Sequence, residues 1–134
     1  MTGFSLKIVT PDGLQFDGTV QQVTVRTTTG DVSILARHID FVAPLGMGQA
    51  TVVADGETRY AACIGGMISV HDGAVTLVPT TFEWADTIDI LRAEASQKRA
   101  EETLADSKAS DIQLKLAEAR LKRALVRRGV AGKK

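Results

Sequence analysis

Apolar and polar positions alternate along the first half of the chain and recur at helical spacing along the second. Phe4, Leu6 and Ile8 alternate with Ser5, Lys7 and Val9, the period of a half-buried strand. Pro11-Asp12-Gly13 predicts a turn, because proline presets the backbone and glycine accepts a positive φ. Val23 and Val25 alternate with Thr24 and Arg26, and Val32 and Ile34 follow Gly30-Asp31. Residues 47–54 and 57–64 flank Asp55-Gly56, and residues 66–70 and 74–78 flank His71-Asp72-Gly73. Both pairs carry a hairpin signal. Short strands separated by repeated turn residues predict an antiparallel sandwich or barrel.

The pattern changes near Trp84. Ten of the twelve glycines lie at or before Gly73, and none, nor any proline, occurs from Thr80 to Arg128. Ala, Leu, Lys, Arg and Glu, the strongest helix formers, dominate residues 94–104 and 112–125. Ile88, Leu91 and Ala95 fall on one helical face, as do Leu114, Ala117, Leu121 and Leu125. Helices are expected at about 88–105 and 110–128. Asp86 or Thr87 is expected to cap the first, Ser110-x-x-Gln113 to form a capping box for the second, and Gly129 to end it. The polar stretch 105–110 is short enough to return the helices antiparallel, with Lys133-Lys134 as a frayed tail. Two short helices with an alanine-rich seam are marginal alone, so the hairpin is expected to lean on the sandwich or on a partner. An arm so weakly held has the physical means to adopt two docked positions.

Charge divides at the same place. Residues 1–87 carry Lys7, Arg26, Arg37 and Arg59 against nine acids, a net of −5, while residues 88–134 carry twelve bases against seven acids, a net of +5. The zero net charge of the 134-residue chain therefore conceals two opposed halves. Residues 119–134 hold seven bases (Arg120, Lys122, Arg123, Arg127, Arg128, Lys133 and Lys134) and no acid. Complementing a helix dipole accounts for Arg127 and Arg128; docking on an acidic protein surface accounts for the whole run equally well. Aromatics make up only 4%, which offers nucleic acid no stacking platform. No apolar run reaches the ~20 residues that span a bilayer. The N-terminus resembles neither a secretory signal nor an import presequence, and a single cysteine suits a reducing compartment.

Candidate chemistry is sparse. His38 and His71 lie in no catalytic motif, Cys63 sits in a strand pattern and is expected to be buried and inert, and Gly65-Gly66 reads as a bulge or close strand approach. No catalytic residue and no metal site is expected. Asp89 and Arg92 share a face of the first helix, with Lys98 and Arg99 further along and Arg123 and Arg127 opposite. Two readings stand: a first-turn acid with an intrahelical ion pair, or a set of cations around a nucleotide phosphate.

Five segments, taken in order, resemble the epsilon-subunit family of bacterial and chloroplast F-type ATP synthases. Val9-Thr10-Pro11-Asp12-Gly13 is similar to its first turn, and Gly30 through His38 to its Gly-Glu-x-Gly-Ile-Leu-Pro-Gly-His segment. Gly65-Gly66 with the strand to Val70 is similar to its Gly-Gly strand. Ile88-Asp89-Ile90-Leu91-Arg92-Ala93 matches its Ile/Leu-Asp-x-x-Arg-Ala motif, and residues 117–125 resemble its last helix. The sequence departs at Ser33, Ala36 and Arg37, where Gly, Pro and Gly are usual, and at Asp40, where Pro is common.

The resemblance implies a fold that is α+β by segment: an N-terminal antiparallel β-sandwich over residues 1–84, then an antiparallel two-helix hairpin over 85–134. It implies a non-catalytic central-stalk subunit that couples the gamma subunit to the c-ring, at the cytoplasmic face of the bacterial inner membrane and touching the membrane only through the complex. By position, Asp31 and His38 would lie in a loop facing gamma and the ring. Arg120, Lys122, Arg123 and Arg127 would dock on the beta (and alpha) subunits of the catalytic head and restrain hydrolysis. In some members the motif binds regulatory ATP, with Asp89, Arg92, Arg99, Arg123 and Arg127 as the corresponding residues here; no other cofactor is expected. The competing readings are a β-sandwich binding module with a basic helical tail for an acidic protein, and a nucleic-acid adaptor.

Overall fold

A computed structural model describes residues 2–133, so the Met1 and Lys134 positions considered above lie outside the described residues. Ten strands form two five-stranded sheets. They are Phe4–Thr10 (β1), Gly13–Val20 (β2), Gln22–Thr27 (β3), Gly30–Ile34 (β4), Phe41–Pro44 (β5), Met47–Ala54 (β6), Glu57–Ile64 (β7), Met67–His71 (β8), Ala74–Val78 (β9) and Thr81–Trp84 (β10). One sheet runs β2-β1-β9-β8-β5 and the other β10-β7-β6-β3-β4. Every pairing is antiparallel except β1 with β9, which is parallel. The expected antiparallel sandwich is thus present, and the single parallel pairing arises because β1 is inserted between a hairpin partner and a sequence-distant strand.

Alternation places the core. Phe4, Leu6 and Ile8 point inward from β1 and meet Val23, Val25, Ile34, Val52, Ile68, Val70, Val75, Leu77, Phe82 and Trp84 between the sheets. Cys63 is part of this core, and burial pushes its thiol up to about 12. Asp55-Gly56 and Asp72-Gly73 both hold positive φ at two successive residues, the geometry that joins strands of native twist by a two-residue turn. At Gly66 (φ 89°) any Cβ would collide with the carbonyl of Val78, so the Gly65-Gly66 pair marks a close strand approach.

Three strands escape the sequence pattern. β2 contains two glycines and an aspartate and lies at an edge; β5 and β10 are only four residues long. A tight 3-10 turn, Ala85–Thr87, then leads into two helices, Ile90–Leu104 (α1) and Asp111–Ala131 (α2). Asp89, rather than Asp86 or Thr87, caps α1, because its carboxylate accepts the Arg92 amide at 3.1 Å while Asp86 and Thr87 are consumed in the turn. Ser110 and Gln113 form the expected reciprocal box, at 3.1 and 2.8 Å. Gly129 does not end α2; the helix continues to Ala131 and Gly132 is the C-cap. Val130, buried just beyond Gly129, anchors that last turn against the rest of the molecule.

The hairpin seam also differs from the expected faces. Ala93 and Ala100 of α1 and Ala117 and Ala124 of α2 are buried, whereas Leu91 is 74% exposed and Ala95 and Leu125 face solvent. The four alanines form the centre of the seam, with Leu104, Leu114 and Leu121 half-buried at its margins.

Candidate functional site

Where α2 crosses the outer face of β7 and β10, a cleft of about 250 Å³ opens, lined by Ile64, Thr81, Glu83, Ser96, Arg120, Arg123, Ala124 and Arg127. Its chemistry is set by three guanidinium groups spaced one helical turn apart on α2 (120, 123 and 127). Glu83 from β10 supplies the opposing charge. Arg127 Nη2 donates to Glu83 Oε2 at 3.1 Å; Nε lies 2.8 Å from Oε1 in ion contact, without hydrogen-bond alignment. The two side chains are 19% and 33% exposed, which makes this the most enclosed ion pair among the described residues.

The structure separates the expected site residues into groups. Arg123 and Arg127 line the cleft with Arg120, while Arg92 and Arg99 stand one turn before and after Ser96 on the same stripe of α1 without lining it. Asp89 has its carboxylate committed to the helix cap, and no ion pair joins it to Arg92, which corrects the expected intrahelical pair. Lys122 is exposed and outside the cleft. Arg127 and Arg128, read above as dipole complements, have specific partners instead: Arg127 takes Glu83, and Arg128 donates to Gln97 Oε1 at 2.6 Å and lies 3.7 Å from Glu94. Glu83 and Ser96 were not singled out by sequence, because nothing in a strand or helix pattern marks which polar residue faces a neighbouring element.

Asp31 and His38 do not share a loop. Asp31 is the second residue of β4, paired with Arg26 at 2.6 Å on the neighbouring strand. Asp31 raises the Arg26 pKa, first through the hydrogen bond and then through its charge. His38 follows the other end of β4, in the 35–40 connection, where its Nδ1 lies 2.8 Å from the Ile39 carbonyl and its ring meets Phe41 edge-on at 5.9 Å. Leu35 and Ile39 flank it, both exposed. Further along, His71 stands between Asp40 and Asp72, with Nδ1 3.3 Å from one carboxylate and Nε2 3.3 Å from the other. Asp40, His71 and Asp72 each offer a donor atom within 4.8 Å of the others, and all three are exposed.

A second feature lies on the outer face of the β2-β1-β9-β8-β5 sheet. Pro44, Met67 and Val78 are paired in register across β5, β8 and β9, and Val9 and Leu14 across β1 and β2. The parallel β1–β9 register, Ile8 opposite Leu77, sets Val9 beside Val78. Leu14, Met67 and Val78 are exposed, so an apolar row crosses all five strands on the side away from the core. A monomer gains nothing from such a row, and apolar surface of this continuity marks an interaction face. Its sequence signal was the apolar residue at outward positions of otherwise alternating strands.

Comparison with known proteins gives a consistent picture. Residues 3–85 match the family model described as ATP synthase, Delta/Epsilon chain, beta-sandwich domain, and residues 86–132 match the one described as ATP synthase, Delta/Epsilon chain, long alpha-helix domain. The chain is 41% identical over 132 residues to the ATP synthase epsilon chain of Bacillus velezensis, covering 98% of this chain and 99% of that one. It is 42% identical over 133 residues to the epsilon chain of Bacillus subtilis, covering 99% and 100%. A chain in the Euglena gracilis mitochondrial ATP synthase structure (OSCP/F1/c-ring) has the same fold, with a TM-score of 0.81 at 21% identity over 91% of this chain and 77% of that one. A chain in the Tetrahymena thermophila mitochondrial ATP synthase central stalk and c-ring superposes with a TM-score of 0.66 at 16% identity, over 97% of each.

Proposed function

The chain belongs to the ATP synthase delta/epsilon family, a non-catalytic subunit of that complex, and from that premise we propose that it is a rotor subunit whose sandwich couples gamma to the c-ring while its hairpin acts as a regulatory arm. The observation that carries the coupling reading is the exposed apolar row Leu14–Val9–Val78–Met67–Pro44. It crosses all five strands of one sheet and lies on the other sheet from the one the hairpin covers, so it serves a partner that stays bound whatever the hairpin does. The exposed Leu35 and Ile39 beside His38 supply a second contact at one end of the sandwich, and Asp31 a charged one near the other. The site of action is the cytoplasmic face of the membrane, reached through the complex; among the described residues no helix is long and apolar enough to cross a bilayer.

For the arm, the favoured ligand chemistry is the phosphate chain of ATP. Arg120, Arg123 and Arg127 line one wall of the cleft and Ser96 the other, with Arg92 and Arg99 flanking Ser96, a concentration of guanidinium groups suited to bidentate phosphate contacts. Asp89 serves this site indirectly, by fixing the start of α1. With the hairpin away from the sandwich, the same arginines and Lys122 face acidic segments of the beta and alpha subunits and restrain hydrolysis.

The deciding experiment is gamma binding by the full chain. Met67→Asp with Val78→Asp, both at exposed positions, should weaken binding to the cognate gamma subunit at least tenfold while the circular dichroism spectrum is kept. Undiminished affinity removes this face from the coupling reading. In the same preparation, ATP titration should move the amide resonances of Ser96 and Arg123 saturably in the parent and not in Arg123→Ala; equal shifts in both discard the ATP reading.

A further inference from the structure

A second cleft, sharing no lining residue with the arginine cleft, opens at the joint between the two halves. β10 ends with Trp84 opposite Ala61, so the start of β7, residues 57–60, runs on past it with an uncovered edge. Thr58, Arg59 and Tyr60 of that edge, Trp84, Ala85 and Asp86 of the joint, and Lys133 at the end of the hairpin enclose about 220 Å³.

Trp84 is locked from behind. Phe82 meets it edge-on at 4.9 Å and Phe16 at 6.2 Å. On its open side the Arg59 guanidinium lies 3.7 Å from the ring centre. A guanidinium held on an indole face keeps its in-plane N–H donors turned outward, in the fork that matches a carboxylate. Lys133 adds a second cation, 5.7 Å from the Tyr60 ring. Among the described residues neither Arg59 nor Lys133 has a carboxylate at ion-pair distance. Two unpaired cations, one preorganised by stacking, thus stand at an aromatic wall against the single carboxylate of Asp86, which leaves the lining with a net positive charge.

We propose that this cleft binds a small planar carboxylate, a single ring bearing one acid group, and that its occupancy ties the end of α2 to the sandwich. The volume of about 220 Å³ is filled by one ring bearing one acid group. The carboxylate meets the Arg59 fork and Lys133, and the ring lies against Tyr60, Ala85 and the edge of Trp84 that Arg59 leaves uncovered. Because Lys133 follows the anchoring Val130 by three residues, a ligand bridging it to Arg59 of β7 spans both halves of the chain.

The test uses the full chain with benzoate as probe and benzylammonium as its cationic counterpart. Trp84 is the only tryptophan, so its emission and its indole N–H resonance report the cleft directly. Benzoate should give a saturable change with a dissociation constant on the order of 1 mM, ordinary for so small a ligand. Arg59→Gln should weaken it about tenfold, the loss of one charge-assisted pair. Lys133→Gln, at the opposite wall, should weaken it several-fold and keeps the test decisive should the first variant not fold. Absence of saturation, equal response to benzylammonium, or undiminished binding in the folded variants overturns the site. Hydrogen exchange at Val130 and Ala131 should slow when benzoate is bound; saturable binding with unchanged exchange overturns the tie between ligand and hairpin.

Discussion

Arg127 of α2 reaches across to Glu83 of β10, with a hydrogen bond from Nη2 at 3.1 Å and an ion contact from Nε at 2.8 Å. This pair is the one direct ionic link between hairpin and sandwich among the described residues. It is also a member of the arginine cleft, so the contact that docks the arm and the contact that would hold a phosphate use the same side chain.

Replacing Glu83 by Gln should therefore loosen the docked arm. The pair is partly screened by solvent, which limits the loss to about 1 kcal/mol, a roughly fivefold rise in the undocked population. Hydrogen exchange of Val130, buried where the end of α2 meets the sandwich, reads this directly. Added salt should bring the parent toward the variant. Equal exchange in parent and variant at low salt would show that the apolar contacts of α2 with β6 and β7 alone hold the arm.

Arg37 occupies the left-handed region, at φ 66°, in the loop that also carries His38. A side chain there costs about 1–2 kcal/mol relative to glycine, and glycine returns part of that in unfolded-state entropy. Arg37→Gly should raise stability by up to about 1 kcal/mol in denaturant melts. A lower midpoint would mean that the Arg37 side chain makes contacts worth more than the strain.

Burial of Cys63 gives a pH dependence whose sign can be worked out. Its thiol is raised from 9.0 to about 12 by desolvation. Below about pH 9 both native and unfolded chains keep the proton, and the full contribution is present. Between there and about 12 the unfolded chain releases a proton that the native chain retains, so stability falls as pH rises. The difference in unfolding free energy between the parent and Cys63→Ala should shrink by about 1.4 kcal/mol per pH unit across that window. A difference independent of pH would contradict the burial. The native thiol should likewise resist thiol reagents at pH 8 and react only after unfolding.

How far the sequence reached depends on what kind of interaction decided each feature. Local rules were enough for the Asp55-Gly56 and Asp72-Gly73 turns, the Ser110–Gln113 box, and the buried Cys63, because each is set by residues close in sequence or by a two-residue period. Tertiary contacts decided the rest. The hairpin seam is alanine-rich as expected, but it centres on Ala93, Ala100, Ala117 and Ala124, with Leu114 and Leu121 half-buried and Leu91, Ala95 and Leu125 exposed, a choice of face that periodicity alone does not make. α2 ran past Gly129 because Val130 is buried. Glu83 acquired its role only when β10, four residues long and invisible to periodicity, was placed beside α2. The arginines were legible as a set, but which of them would be tied down was not.

Ending the chain after Thr87 tests the division of labour most directly. Every residue of the sandwich core, from Phe4 to Trp84, precedes that point. The hairpin contributes the Glu83–Arg127 pair, the Lys133 contact with Tyr60, the packing of Val130 and a lid over β6 and the outward side chains of β7, of which Ala62 and Ile64 are buried in the full chain. Exposing those two and breaking the pair should cost about 2–4 kcal/mol. A domain of this size then melts roughly 10–25 °C lower yet remains cooperative, at ~4–8 °C per kcal/mol. Near-ultraviolet circular dichroism of Trp84 should be kept, since Phe16 and Phe82 hold the ring without help from the helices. The truncated chain should bind gamma as the full chain does, because the row from Leu14 to Pro44 lies on the other sheet from the one the hairpin covers. A truncated chain that exchanges all its amides freely would show that the sandwich requires the arm, and the fixed contact and the movable arm could not then be separate parts of one subunit.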